Sequence, residues 1–485
     1  LSKIRPFSEE LILQRIRLEN PWWEKGSIPD EYSRLKKRLY FELFYQQVTL
    51  TQVKRAIVMM GPRRVGKTVM LFQLVQQLID NKIPPRKICF LSIDAPIYNN
   101  ISLEELFALC RKALNADEPD GFYIIFDEIQ YLKKWEEHLK SMVDFYKQTR
   151  FIVSGSAAAA LKLKSNESGA GRFTDFMLPP LTFQEYLYLK DLDYLIKRQS
   201  VPLKDRSYHF YLTDDWTNLN RHFIDYINFG GYPEVILNNY IQQDPGRFIR
   251  SDIIDKVLLR DLPSLYGIRD VQELNSLFNV IAYNSGNEFN LEGLAQESGV
   301  AKDTIRKYLE YLEAAFLIKI LYPVGMNTKR FQRASRFKIY LTNPSMRCAL
   351  FAPIATTDDH FGQMVETAIV AQWLHRGNIP LHYAAWHGGE VDLIMVAPAQ
   401  KPRWVMEVKW SNQYVQSPGK LKSLLKYCKE NALGQAWVTS IDKVEQALVQ
   451  GIKIVFFPAA AYCFGLGRES LHEKQVNTVF ELFST

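Results

Sequence analysis

The octapeptide Gly61-Pro62-Arg63-Arg64-Val65-Gly66-Lys67-Thr68 carries the strongest signal in this chain of 485 residues. It fits G-x-x-x-x-G-K-[ST], following an apolar run, Ala56–Met60, and preceding a segment of helical periodicity, Val69–Ile79. Glycines at both ends let backbone N–H groups wrap phosphate oxygens, Lys67 reaches the β and γ oxygens of ATP, and the Thr68 hydroxyl is placed to ligate Mg²⁺. The amino-terminal end of the following helix adds positive potential. A Gly-rich turn made for structure alone would not need Lys67 and Thr68 in this register. All eight residues are therefore candidates for binding ATP.

Outward from the loop, strands alternate with helices, the signature of a mainly parallel sheet. Strands are predicted over Ala56–Met60, Ile88–Ile93, Tyr123–Phe126, Phe151–Ser154 and Phe173–Leu178, with helices such as Leu103–Leu114 between them. The third strand delivers Asp127 and Glu128 to its carboxyl end, where an open parallel sheet binds ligands. Asp127 would hold magnesium through water, and Glu128 would orient and deprotonate the attacking water, which favours hydrolysis over transfer to an organic acceptor. Ser154 and Ser156 flank Gly155 on the next strand, where they suit either a γ-phosphate contact or a turn. Arg172, in Gly169-Ala170-Gly171-Arg172, is a candidate finger supplied by a neighbouring subunit of a homo-oligomer, or else a surface arginine.

The length predicts two to four domains. Hydrophobic residues make up 47% and no apolar run is long enough to cross a bilayer, so a soluble protein without a membrane partner is expected. Cys89, Cys110, Cys348, Cys428 and Cys463 lie far apart without paired or metal-ligand spacing, which predicts reduced thiols in a cytoplasm. The amino terminus lacks a signal-peptide core, and Leu1 in place of Met suggests a trimmed or partial start. The net charge of +7 is concentrated, because Phe316 to Thr342 holds Lys319, Lys329, Arg330, Arg333, Arg336 and Lys338 and no acidic residue. DNA becomes a candidate partner, although a solvated basic hairpin would carry the same charge.

The first fifty residues read as amphipathic helical segments broken at Pro21-Trp22-Trp23, with Leu35, Leu39, Phe41 and Phe44 available for packing. After Pro179-Pro180 a helical, aromatic pattern runs through Phe183–Leu189 and Phe210–Ile227 to a turn at Gly230-Gly231-Tyr232-Pro233, as in a lid. From about Val271, Leu291–Glu297, a break at Ser298-Gly299-Val300, and Asp303–Ala314 predict helix, tight turn, helix. Strands over Ile318–Pro323 and Phe337–Thr342 would complete a winged helix with the basic stretch at their connection. Lys302, Arg306 and Lys307 on the second helix suit DNA, though such helices also serve as dimer or interdomain elements.

Farther on, Glu390-Val391-Asp392 begins a strand after His387-Gly388-Gly389, and Glu407-Val408-Lys409 ends the following strand after Pro398 and Pro402. Alternation puts Glu407 and Lys409 on one side and Glu390 and Asp392 on one side. Glu366 lies on the preceding helix, whose stripe of Val365, Ile369 and Trp373 faces a core. Carboxylates and a lysine so placed suit metal-dependent phosphodiester hydrolysis: Asp392, Glu407 and Glu366 around Mg²⁺ or Mn²⁺, with Lys409 positioning a water. E-x-K is a common triplet, so the order of elements matters more. Leu421, Leu424, Leu425 and Cys428 predict the next helix and Ala436–Thr439 the next strand.

Taken together, these residues resemble a widespread group of bacterial and archaeal AAA-type ATPases with a carboxyl-terminal region similar to PD-(D/E)xK nucleases. The resemblance rests on Gly61–Thr68, Asp127-Glu128-Ile129-Gln130 with Trp135, Ser154-Gly155-Ser156, Gly171-Arg172, Pro180-Leu181-Thr182-Phe183 with Glu185, and Gly230-Gly231-Tyr232-Pro233-Glu234. Thr304 with Tyr308-Leu309, Trp386, Glu390-Val391-Asp392 and Glu407-Val408-Lys409 extend it. Asn343 departs from it, standing where the group usually has an acidic residue. The resemblance implies an α/β chain: a P-loop NTPase (AAA-like) parallel sheet, a helical lid, a winged helix, and a C-terminal αβββαβ PD-(D/E)xK-like domain. The corresponding boundaries are 1–50 (helical), 51–180 (ATPase), 181–270 (lid or linker), 271–345 (winged helix) and 346–485 (nuclease-like). Two functions are expected of such a chain. It is either an ATPase coupled to DNA binding and metal-dependent cleavage, or a nucleotide-switched interaction or regulatory module whose nuclease-like fold is inert.

Overall fold

Ala56-Ile57-Val58-Met59-Met60 is apolar at every position, as a strand covered on both faces must be, and it forms the buried strand β1 (Ala56–Gly61). β2 (Ile88–Ser92), β3 (Tyr123–Asp127), β4 (Arg150–Ser156) and β5 (Phe173–Met177) join it in a five-stranded parallel sheet of order β2-β3-β4-β1-β5. Because β4 lies between β1 and β3, the loop after β1, the end of β3 and Ser154–Ser156 stand side by side at one edge. The computed structural model describes every residue except 1–6, 51, 53, 157–170, 204–205, 326–334, 378–380, 398–400 and 477–485. The chain forms two compact units, Leu1–Pro179 and Pro180–Thr485.

In the first unit, helix α1 (Glu9–Glu19) sends Ile12 and Ile16 into the sheet's core. α2 (Lys67–Asp80) follows the phosphate-loop sequence directly. α3 (Leu103–Leu114) starts at Ser102, whose hydroxyl accepts from the Glu105 N–H at 3.2 Å, and α4 is Trp135–Phe145.

The second unit begins with α5 (Phe183–Leu189), capped by Thr182 through the Glu185 N–H at 3.0 Å. A hairpin of β6 (Lys197–Leu203) and β7 (Arg206–Leu212) comes next, before α6 (Trp216–Phe229). The helix expected over Phe210–Ile227 is thus corrected at its start, since Phe210–Leu212 is strand. Tyr208 and Phe210 alternate on one face of β7, against Trp437 and Phe457, so period two prevails over helical spacing there. Leu181, Phe183, Tyr186 and Leu187 share one hydrophobic core with Phe457 and Phe464, so this stretch is built into the second unit.

α7 (Val271–Tyr283), β8 (Glu288–Asn290), α8 (Leu291–Ser298), α9 (Lys302–Ala314), β9 (Ile318–Leu321), β10 (Pro323–Val324) and β11 (Arg336–Leu341) follow in order. Asn290 caps α8 and Gly299, at φ 76°, ends it in the left-handed region that glycine tolerates. β8, β11 and β9 form a small antiparallel sheet, while β10 pairs with a strand of the final sheet. That sheet has the order β10-β12-β13-β14-β15-β17-β16, made with β12 (Leu381–Trp386), β13 (Gly389–Val396), β14 (Pro402–Glu407), β15 (Gln435–Ser440), β16 (Glu445–Val449) and β17 (Ile452–Pro458). α10 (Phe361–Trp373) precedes β12, and α11 (Lys422–Glu430) lies between β14 and β15. Helix α, three strands, helix and strand therefore occur in the expected succession.

Asn343 has a structural use. It is fully buried, its side-chain oxygen accepts from the Ser345 N–H at 2.9 Å, and a Cβ on Gly231 would stand 2.4 Å from it. All five cysteines are free and buried, and among the described residues no helix is long and apolar enough to cross a membrane.

Candidate functional site

Two clusters of ionisable residues stand out, one in each unit. In the first, Gly66 at φ 92° and Arg64 at φ 62° bend the loop between β1 and α2. Gly61 is required by close approach, for a Cβ there would lie 2.3 Å from the Leu178 carbonyl oxygen. Lys67 Nζ donates to the carbonyls of Gly61 (3.0 Å) and Pro62 (2.9 Å), curling over the loop.

Thr68 Oγ1 donates to Asp127 Oδ2 at 2.8 Å, while Ser154 Oγ donates to Asp127 Oδ1 and accepts from the Glu128 N–H at 3.2 Å. Ser154 thus orients the acidic pair from the intervening strand. Burial and the neighbouring Glu128 push the Asp127 carboxyl up to about 6, against the pull of Ser154, Thr68 and Lys67. A buried carboxylate beside a hydroxyl, with its ionised form disfavoured, suits a divalent cation, so the residues fit Mg²⁺ with ATP. Glu128 adopts φ 57°, rare for a residue with a side chain, and the Gln130 amide donates to its carboxylate. Gln130 Oε1 in turn accepts from the Ser156 N–H at 3.0 Å, while the Ser156 hydroxyl is buried without a partner among the described residues.

Arg172 lies elsewhere. Its carbonyl pairs with Ala56 N at the start of β1 and β5, five residues before the loop, or roughly 16 Å at about 3.3 Å per residue. Its guanidinium meets Asp144 at 3.1 Å. Arg172 therefore does not join the phosphate loop of its own chain. Gly169 and Ala170 lie outside the described residues.

Sequence reasoning missed Arg38 and Gln130 as parts of this site. Buried Arg38 donates through Nη1 to Val65 O at 3.0 Å and Pro179 O at 2.8 Å, tying the loop to the end of the first unit. Nothing in the local sequence marks Arg38. Gln130, two residues after Glu128, was visible only as part of a motif.

In the second unit, Asp392 on β13 and Glu407 at the end of β14 are buried next to each other, and Lys409 Nζ reaches Glu407 Oε1 at 2.8 Å and Asp392 Oδ2 at 3.7 Å. Asp392 also accepts from the Val408 N–H at 2.7 Å. Burial pushes Glu407 up to about 8 and Glu366 up to about 7, with Asp392 adding repulsion to both. Glu407 Oε2 is buried without a hydrogen-bond partner among the described residues.

Glu366 has other company. Lys338 and Tyr340, on one face of β11, reach Glu366 Oε1 at 3.2 and 2.5 Å, and Lys338 also meets Glu390 at 2.9 Å. Among the described residues, no three His, Cys, Asp or Glu side chains are arranged to hold a metal ion. Asp392 and Glu407 fit a divalent ion through the unsatisfied Glu407 oxygen, whereas Glu366 is already engaged. The alternation Lys338-Ile339-Tyr340 was the available signal for these missed residues.

This placement also corrects one member of the basic stretch. Lys338 is buried and is no phosphate contact, while Arg336 and Lys319 pair at the surface with Glu288 at 3.2 Å and Glu313 at 2.6 Å. Lys329, Arg330 and Arg333 lie outside the described residues. On α9, Lys302 pairs with Glu292 at 2.7 Å and Arg306 with Asp303.

The sheet and its loop define a P-loop ATPase domain of the AAA type, and comparison with known proteins agrees. Residues 53–187 match the family model described as an AAA domain, and residues 220–357 match one described as a domain of unknown function (DUF8612). The chain is similar to two uncharacterised proteins of Methanocaldococcus jannaschii. One is 25% identical over 70% of this chain and 71% of that protein; the other is 24% identical over 82% and 85%. An uncharacterised protein of Haemophilus influenzae is 23% identical over 82% of this chain and 92% of its own. Glu366, Asp392, Glu407 and Lys409 lie beyond both matched segments.

Proposed function

We propose that this protein binds ATP with Mg²⁺ and hydrolyses it in its first unit. The observation that carries this reading is the 2.8 Å contact between Thr68 Oγ1 and Asp127 Oδ2, residues far apart in sequence whose chemistry converges where the loop ends. Lys67 would exchange the Gly61 and Pro62 carbonyls for β and γ oxygens, whose charge is greater. Thr68 and Asp127 would hold Mg²⁺, which neutralises phosphate charge. Glu128, held by Gln130 and by its own backbone's bond to Ser154, would align the lytic water and take its proton. The test is a pair of variants. Lys67→Ala is expected to lose tight ATP binding, and Glu128→Gln to bind ATP but stop turnover; equal hydrolysis by wild type and Glu128→Gln would sink the assignment.

For the second unit, we propose that nucleotide state controls access of DNA to the cluster of Asp392, Glu407 and Lys409. The support is that Asp392 and Glu407 meet on neighbouring strands, with Lys409 just past the end of β14 reaching both and one Glu407 oxygen unsatisfied among the described residues. Asp392 and Glu407 would hold a divalent ion, which supplies charge neutralisation and a more acidic water; Lys409 would orient that water. A second reading, an inert cluster in a nucleotide-switched or regulatory module, is favoured by the engagement of Glu366 with Lys338. Incubating the protein with varied DNA, ATP, and Mg²⁺ or Mn²⁺ separates them. Cutting that disappears in Asp392→Ala and Glu407→Ala, while ATP hydrolysis persists, supports the nuclease; binding without cutting in every nucleotide state supports the module, and sequence-specific binding would make it a transcription regulator.

A further inference from the structure

Lys338 is 2% exposed, and an ammonium is rarely placed so deep without a specific counter-charge. It is one of six cations in a basic stretch of sequence, yet it is buried away from solvent. Its Nζ lies 3.2 Å from Glu366 Oε1, 2.9 Å from Glu390 Oε1 and 5.5 Å from the centre of the Tyr383 ring. Tyr340, two residues along β11 and on the same face, donates to the same Glu366 oxygen at 2.5 Å. That oxygen has two lone pairs, and Lys338 and Tyr340 occupy both.

β11 is not free to shift these groups, because it is hydrogen-bonded to β8 on one side and β9 on the other, with Lys338 opposite Glu288 and Leu321. A further bond, from Tyr383 OH to Glu288 at 2.9 Å, fastens β8 to the final sheet. The strand that belongs in sequence to the helix-turn-helix region therefore contributes a fixed positive charge to the carboxylate cluster. Four carboxylates, Glu366, Glu390, Asp392 and Glu407, are shared between two ammonium groups, Lys338 and Lys409. Lys409 leaves Glu407 Oε2 unsatisfied among the described residues, whereas Lys338 and Tyr340 together leave no lone pair on Glu366 Oε1.

We propose that Lys338 is a tethered cation that holds Glu366 out of the divalent-ion set, so that β11 sets how tightly Asp392 and Glu407 take a metal ion. The proposal rests on reading that pair as a metal site. The physical reason is competition, since two cations within a few ångströms in a poorly screened interior repel each other, and Lys338 and Tyr340 fill the lone pairs of Glu366 Oε1 and hold that carboxylate toward β11. Lys338 is thus a positioning residue, acting on the site through Glu366.

The test is Mn²⁺ titration of the full chain without nucleotide, with Asp392→Ala defining which binding belongs to the cluster. Lys338→Met is expected to tighten Asp392-dependent Mn²⁺ binding by about tenfold or more, and adding Glu366→Gln is expected to remove that gain. A residue that merely stabilised the core would show no such gain. Tyr340→Phe takes away one donor without changing charge; it is expected to tighten binding about threefold, and it decides the matter if Lys338→Met does not fold. Unchanged or weaker Mn²⁺ binding in the folded variant, still lost in Asp392→Ala, overturns the role of Lys338 while leaving the metal site in place. No Asp392-dependent Mn²⁺ binding in any variant overturns the metal reading, and this proposal with it.

Discussion

Arg38 shows how much a single side chain outside every motif can matter to the nucleotide site. One of its guanidinium nitrogens bridges the carbonyls of Val65 and Pro179, a geometry that the single nitrogen of lysine does not reproduce at the same reach. Arg38→Lys is therefore expected to weaken ATP affinity by about tenfold, because the phosphate loop loses the tie that preorganises it, while bound ATP is still turned over. Nucleotide titration checks this, and unchanged affinity would reduce Arg38 to a packing residue. Gln130 makes the complementary case. Gln130→Ala is expected to leave ATP binding in place but lower kcat by about tenfold, since the amide holds Glu128 rather than phosphate. A change confined to KM would contradict that role.

At the level of strands and helices, β13, β14 and α10 gather carboxyl groups faster than they supply positive charge. Glu366 and Glu407 have folded values of about 7 and about 8, both above the ordinary 4.5. Between these limits the folded state binds more protons than the unfolded one. The stability these groups contribute is complete below the ordinary value and is lost as pH rises through about 7 to 8. In metal-free buffer the second unit is expected to melt at lower temperature near about pH 9 than near about pH 6, and Glu407→Gln should flatten the difference. A melting temperature that rises with pH over this range would show that the carboxyl groups are ionised and compensated in the fold. Added Mn²⁺ should also flatten it if Asp392 and Glu407 hold the ion.

Across the molecule, two expectations reach beyond a single site. Arg172 is remote from its own phosphate loop, so any catalytic use must be in a neighbouring copy. Arg172→Ala should then lose hydrolysis yet regain some when mixed with Glu128→Gln, whose arginine is intact; no recovery in a confirmed assembly would leave it as the partner of Asp144. On the proposed reading that the chain binds DNA, affinity should fall with salt, with a slope that decreases by about 0.9 for each phosphate contact removed. Arg336 already pairs with Glu288, so neutralising Arg330 and Arg333 should change that slope more than neutralising Arg336. Equal effects from all three would show that the Glu288 pair opens on binding.

What could be read without a structure was whatever depends on local order. Gly61 to Thr68 had to lie between a strand and a helix, Asp127-Glu128 had to end a strand, and five apolar runs separated by amphipathic helices had to make a parallel sheet, because side-chain period and turn chemistry are local properties. The pairings of the carboxyl-terminal cluster were partly legible for the same reason, since Lys409 follows Glu407, the last residue of β14, by two positions. The hairpin at Lys197–Leu212 was obscured because its aromatic residues also satisfy a helical spacing, and only Trp437 and Phe457, far along the chain, select the strand. Arg38 on the phosphate loop and Lys338 on Glu366 were decided by tertiary structure alone. Their partners are distant in sequence, and a basic residue turns inward only when the fold has already assembled the acceptors that make burying its charge tolerable.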